Sequence, residues 1–151
     1  LKNLLPKEKY DVRDFDERGV PDGADRAWRK SELKKWLEIG TEAARRGIST
    51  IICGFVKKTD LENGSPEAEI ILLDADSETI RKRLVGRYSK DGIFDDTQKV
   101  IGKPVNEFIE SNVYYCDIMR KESAEEGTKI IDTSGSTPEE VAKKVLKLVS
   151  H

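Results

Sequence analysis

Two carboxylates one residue apart, Asp14 and Asp16, close the short run Tyr-Asp-Val-Arg-Asp-Phe-Asp that begins at Tyr10. Alternate residues of a strand share a face, so both acids can serve one site at the strand's C-terminal end, where open α/β sheets bind ligands. Such a pair suits a Mg²⁺ ion with its waters, or one metal-linked acid beside one general base. The same spacing also describes a solvated strand end running into a loop. Downstream, Trp28-Arg29-Lys30-Ser31-Glu32 opens a helical pattern. Arg29 and Glu32 are i, i+3 neighbours, so the acid is expected to pair with the guanidinium and hold it toward a carboxylate or phosphate. A plain surface ion pair, with Trp28 in the core, is the other reading.

Three more groups carry possible chemistry. Gly54 ends the apolar run Ser49–Gly54, where the missing side chain admits a ligand to the backbone or simply makes a turn. Arg81, Arg83, Arg87 and Lys90 cluster on one stretch, with Arg83 and Arg87 i, i+4 on a helix face. These cations could neutralise phosphates or stack on a base, or form a solvated basic face partly offset by Asp91, Asp95 and Asp96. Finally, Ile-Asp-Thr-Ser-Gly-Ser-Thr-Pro, from Ile131 to Pro138, leads from a strand through small residues into a helix. Its backbone could pack against a flat ring, or be an ordinary strand-to-helix turn.

Positioning these groups requires alternating strands and helices. Strands are expected at Tyr10–Asp14, Ser49–Gly54, Ala68–Asp74 and Thr128–Asp132, the middle two β-branched and nearly continuous in apolar residues. Such runs suit parallel strands covered on both faces. A helix is expected from Ala24 to Arg46, with Leu33, Trp36, Leu37, Gly40 and Ala44 on its inner face and Gly47 as its stop. A second runs from Ser77 to Tyr88, capped by Asp76, with Ile80 and Leu84 inward. A third covers Val105–Glu126. A fourth has Thr137 as N-cap, Pro138 at its first position and Glu140 three residues after the cap, with Val141, Val145, Leu148 and Val149 as its apolar stripe. The alternation implies a single α/β domain with right-handed crossovers. Lys57–Pro66 and Lys90–Lys103 read as long polar loops.

Composition narrows the functions. The 151 residues suit one domain, and a net charge of −2 gives no electrostatic footprint for nucleic acid. No apolar run approaches membrane-spanning length, and the start Leu-Lys-Asn-Leu-Leu-Pro is too short for a secretory signal. Cys53 and Cys116 read as free, buried thiols in a reducing cytoplasm. The single histidine, His151, stands last, so a histidine-based metal centre is not expected. Oligomeric state leaves no mark in the sequence.

The succession of these signals resembles the shikimate kinase and gluconate kinase branch of the small P-loop kinases: D-x-D at a strand end, aromatic-Arg-x-x-Glu on the next helix, a glycine after a buried strand, an arginine-rich helix, then I-D-T-S-x-x-x-P-x-E-V. The likeness covers nearly the whole chain. It implies a parallel sheet with helices on both faces, ATP and Mg²⁺ as cofactors, and a small metabolite as phosphate acceptor. By the same likeness, Asp14 is the Mg²⁺-associated acid, Asp16 the base for the acceptor hydroxyl, and Arg29, Trp28 and Gly54 acceptor-binding residues. Arg83 and Arg87 would serve the nucleotide, with Ser134, Thr137 and Pro138 as the other adenine wall. Arg120 would touch phosphate, and residues 88–103 would form a lid.

The chain departs from the pattern in one large respect. The strand and G-x-x-x-x-G-K-[ST] loop that cradle phosphates in these kinases are absent; the only Gly-Lys pair is Gly102-Lys103, with Thr97 where the first glycine should stand and Pro104 after the lysine. The lid lacks the usual Arg-Pro pattern, and the glycine cluster after the strand is reduced to Gly54. Leu1–Pro6 reads as the tail of the helix that follows a P-loop. The expectation is that a strand and loop precede Leu1 in the natural protein, the alternative being a degenerate, non-catalytic module that binds a nucleotide or other ligand. A flavodoxin-like or receiver-type fold is disfavoured because Leu1–Leu5 is not the acid-tipped first strand such folds need.

Overall fold

The computed structural model describes residues 1–61, 68–88, 102 and 104–149. Half of the expected loop Lys57–Pro66, almost all of the expected lid 88–103, including Lys90, and His151 fall outside them. The order of elements is β1 (Tyr10–Asp14), α1 (Arg26–Ala44), β2 (Ser49–Cys53), a 3₁₀ turn (Lys58–Asp60), β3 (Ile71–Asp74), α2 (Ser77–Tyr88), α3 (Val105–Glu125), β4 (Lys129–Asp132) and α4 (Pro138–Val149). The chain is thus an α/β protein, and every expected helix and strand is present within three residues of its expected ends. Leu1–Leu5 form a turn, closed by the Leu4 and Leu5 amides on the Leu1 carbonyl at 2.8 and 3.2 Å.

The strands pair two by two. β1 lies parallel to β2 with Tyr10 opposite Ser49 and Asp14 opposite Cys53, and β3 lies parallel to β4 with Ile71 opposite Lys129 and Asp74 opposite Asp132. The chain divides accordingly into two compact units, Leu1–Ile70 with Pro138–His151, and Ile71–Thr137. Each strand therefore has one edge unpaired among the described residues.

In the first unit, the two-residue period of the strands distributes their side chains to two cores. Tyr10 and Val12, with Ile51 and Cys53, pack against Leu5 and the α4 residues Ala142, Leu146 and Val149. Ile52 turns the other way and meets Phe15 with the α1 residues Leu33 and Trp36. Helices therefore cover both faces of this strand pair. The α4 stripe is Ala142, Val145, Leu146 and Val149; Val145 and Val149 are as expected, whereas Ala142 and Leu146 pack inward and the expected Val141 and Leu148 are half-buried beside them. On α1 the inner-face residue is Ala43 and not Ala44, which is exposed. Asp25 caps α1 by accepting the Trp28 amide at 2.8 Å. Gly47, at φ 75°, stops it, and the Ile48 amide returns to the Ala43 carbonyl at 3.1 Å.

In the second unit, α2 and α3 bury Ile80, Leu84 and Tyr88 against Val105, Ile109 and Val113. Asp76 caps α2 as expected, accepting the Thr79 amide at 2.7 Å. Arg81 grips Glu110 of α3 through Nε at 2.6 Å and Nη2 at 2.8 Å. Cys53 and Cys116 are free and half-buried, less enclosed than expected.

Candidate functional site

The candidate site is built where β1 ends. The strand stops at Asp14, so Asp16 does not continue it but sits in the following turn. Between them Phe15 is only 2% exposed. It is fixed at both main-chain groups: its amide donates to the Cys53 carbonyl at 2.9 Å, and its carbonyl accepts the Trp36 indole N–H at 3.0 Å. Burying the aromatic residue leaves its two acidic neighbours exposed. One Asp14 carboxylate oxygen accepts the Asp16 amide at 2.9 Å. The Asp16 carboxylate makes no hydrogen bond or ion pair with the described residues.

Arg29 reaches this turn from the first part of α1. Its guanidinium carbon lies 5.6 Å from the centre of the Phe15 ring and 5.7 Å from that of Phe55, within cation–π range of both. One terminal nitrogen donates to the Phe55 carbonyl at 3.0 Å. Trp28 meets Phe15 edge to face, with ring centres 6.2 Å apart. The expected Arg29–Glu32 pair does not form. Glu32 points into the protein at 3% exposure and is held by Arg18 at 2.7 Å and Lys35 at 3.0 Å, while the Arg18 guanidinium lies over Trp36. Glu32 thus ties the turn after β1 to α1, and Arg29 keeps its charge. Gly54 serves the same turn: a Cβ there would overlap the Phe15 side chain. Its bareness admits Phe15, a protein side chain, at the place where sequence suggested a ligand.

The second unit also gathers functional candidates at a strand end, and they are occupied. Arg120 binds Asp74, the last residue of β3, through Nε and through Nη2 at 3.0 Å, Asp117 through Nη1 at 2.7 Å, and the Ala75 carbonyl at 2.7 Å. The paired carboxylates push the Arg120 pKa up, the Asp74 hydrogen bonds being the leading cause; the Arg120 hydrogen bond in turn holds Asp117 below the usual carboxylate range. A phosphate at Arg120 would have to compete with both acids. Arg83 donates to the Thr133 hydroxyl at 3.0 Å and to its carbonyl at 2.8 Å, and the Thr133 hydroxyl donates to the Asp74 carbonyl at 2.7 Å. Ser134 accepts the Asp76 amide at 2.8 Å. The small-residue loop is thus tied to the start of α2. Arg87 has no partner among the described residues. Thr137 and Pro138 lie at the junction into α4, on opposite sides of the division between units.

Sequence reasoning missed Phe55, Arg18 and the Asp74–Arg120 pair. Asp74 at a strand end, and Asp117 three residues before Arg120, were available signals; Phe55 had none. Asp14 fits a Mg²⁺ ion of the kind held by one or two carboxylates and by substrate phosphates, since among the described residues one of its oxygens is uncommitted and neither is ion-paired. Among the described residues no three acidic, cysteine or histidine side chains gather as a complete metal cage. The 151 residues do not by themselves fit a triphosphate, because they contain no phosphate-cradling loop and both Arg83 and Arg120 are engaged internally. Among the described residues no helix is long and apolar enough to cross a membrane. Comparison with known protein families, curated proteins and solved structures finds no significant match.

Proposed function

We propose that this chain is the acceptor-binding and acid/base portion of an ATP-dependent small-molecule kinase of P-loop architecture, acting in the cytoplasm. The observation that carries the reading is the end of β1, where an uncommitted carboxylate (Asp16), a second exposed acid (Asp14) and an acid-free guanidinium (Arg29) are arranged around one buried aromatic residue. Asp16 is free to take the proton from an acceptor hydroxyl. Arg29 is free to hold an anionic group of that acceptor, and Asp14 would hold the Mg²⁺ that neutralises transferred phosphate.

The strand pairing supports the same reading. In the resembled kinases the strand that leads into the phosphate loop is an inner one, with a neighbour at each edge. Here, among the described residues, two parallel pairs each keep unpaired edges, and apolar strands such as β2 and β3 are only half-buried. A two-stranded parallel pair is a poor independent sheet, so a further strand has places to join. On this reading these 151 residues supply the acceptor side of the site and not its phosphate cradle.

A second reading is favoured by one specific observation: two of the arginines assigned to nucleotide or phosphate, Arg83 and Arg120, are satisfied within the protein. On that reading the chain is a non-catalytic module that binds a nucleotide or other ligand. One experiment separates them. A chain extended upstream of Leu1 by a strand and a G-x-x-x-x-G-K-[ST] loop is assayed for ATP binding and for ATP-dependent transfer to sugar and cyclitol acids. The kinase reading expects both activities, with Asp16→Asn lowering turnover by about 10²–10⁴-fold and leaving ATP affinity unchanged. Failure of the extended chain to bind ATP ends it; ATP binding without transfer favours the module.

A further inference from the structure

We propose that Phe55 is a positioning residue for Arg29, holding the guanidinium by neutral contacts so that its charge stays available to a carboxylate or phosphate of the acceptor. The inference rests on the reading of the β1 end as an acceptor site.

An arginine side chain has many rotamers, and an anion site gains from having one of them selected beforehand. The usual device is a carboxylate partner, which orients the fork but cancels its charge. The sequence offers such a partner in Glu32, and the fold turns it away to Arg18 and Lys35. Phe55 substitutes for it twice over. Its ring lies beneath the guanidinium at 5.7 Å, and its carbonyl accepts one N–H at 3.0 Å. The Phe15 ring adds the third contact at 5.6 Å. None of the three brings a formal negative charge. An arginine has five N–H donors, and a single hydrogen bond to the described residues is present, so the remainder of the fork can meet two oxygens of one anion. Phe55 itself is 40% exposed, so its ring contributes little to the core. Its placement follows from Gly54, which lets the chain pass close over Phe15 and turn Phe55 toward α1.

The test uses the chain as it stands. The arginine Nε–H resonance of Arg29, identified by its loss in Arg29→Lys, is followed while inorganic phosphate and, separately, acetate are added at constant ionic strength. Saturable binding is expected, weakened about 2- to 5-fold by Phe55→Leu, the worth of one exposed cation–π contact, and restored by Phe55→Tyr. Thermal unfolding of all three proteins should agree, since a merely structural residue would move stability and not affinity. Equal affinity in Phe55→Leu and the wild type, or no saturable shift with either anion, overturns the proposal. No nucleotide is present, so a protein that transfers no phosphoryl group can still pass, and a demonstrated kinase whose Arg29 ignores anions sinks this inference alone.

Discussion

The two strand pairs end alike in sequence and opposite in chemistry. β1 and β3 each finish on an aspartate, Asp14 and Asp74, and each has an arginine brought to its C-terminal end by a helix. In the second unit the aspartate and arginine find one another: Asp74 and Arg120 bind through two hydrogen bonds, and Asp117 adds a third. In the first unit they do not; Arg29 rests on two phenyl rings and a carbonyl, and Asp14 accepts a main-chain amide. A mutually neutralised pair is a staple, whereas charges oriented by neutral groups remain available for a ligand. Residue type and position in the fold are therefore a poor guide to which arginine is neutralised within the protein. The partner decides.

Four substitutions probe that contrast. Arg120→Met should do the most damage to stability, about 2–3 kcal/mol in urea unfolding, because it leaves the largely buried Asp74 carboxylate without its cation. A loss no larger than that of Arg29→Met would break the comparison. Gly54→Ala comes next, at about 1–2 kcal/mol, because the new methyl group must displace Phe15. It should also disturb the Arg29 Nε–H resonance, which a substitution at Arg120 should leave alone.

Asp76→Asn acts on acid stability. The Thr79 amide, then the hydroxyls of Ser134 and Thr79, hold the Asp76 carboxyl down at about 2. A carboxyl with a lowered folded-state pKa stabilises above its unfolded value, near 4, and that contribution is lost as pH falls toward 2. Melting temperatures measured across pH 2–4 should therefore fall less steeply in Asp76→Asn than in the wild type. Parallel curves would remove the cap from the account. Arg29→Met should be the mildest, under about 1 kcal/mol, while abolishing anion binding. A large stability loss there would make Arg29 a second staple.

Much of the architecture was legible beforehand. Helix boundaries followed from Asp76 ahead of one helix, Gly47 after another, and Pro138 at the start of a third, all of which act through local backbone geometry; the Asp25 cap of α1 was not foreseen. Strand positions followed from β-branched apolar runs. The site was legible only in part. Asp14, Asp16 and Arg29 were identifiable as candidates; in the fold the two aspartates are exposed and Arg29 is half-buried. The Arg29–Glu32 pair was a sound local inference that tertiary packing overrode, since Glu32 lies on the buried side of α1 where Arg18 and Lys35 reach it. The α4 stripe kept Val145 and Val149 but drew in Ala142 and Leu146 for a similar reason: Ala142 packs with Tyr10 and Val12, and periodicity alone does not see how much room the sheet leaves.

Order along the chain, the ends of the elements and the identity of the charged groups come from the amino acids themselves, because hydrogen bonds within a turn and alternation along a strand need no distant partner. Which charges cancel, and which stay open, arises only when strands and helices meet. Cation–π and ion-pair energies depend on separations of a few ångströms between residues dozens of positions apart. Phe55 beneath Arg29 and Asp74 against Arg120 are contacts of that kind.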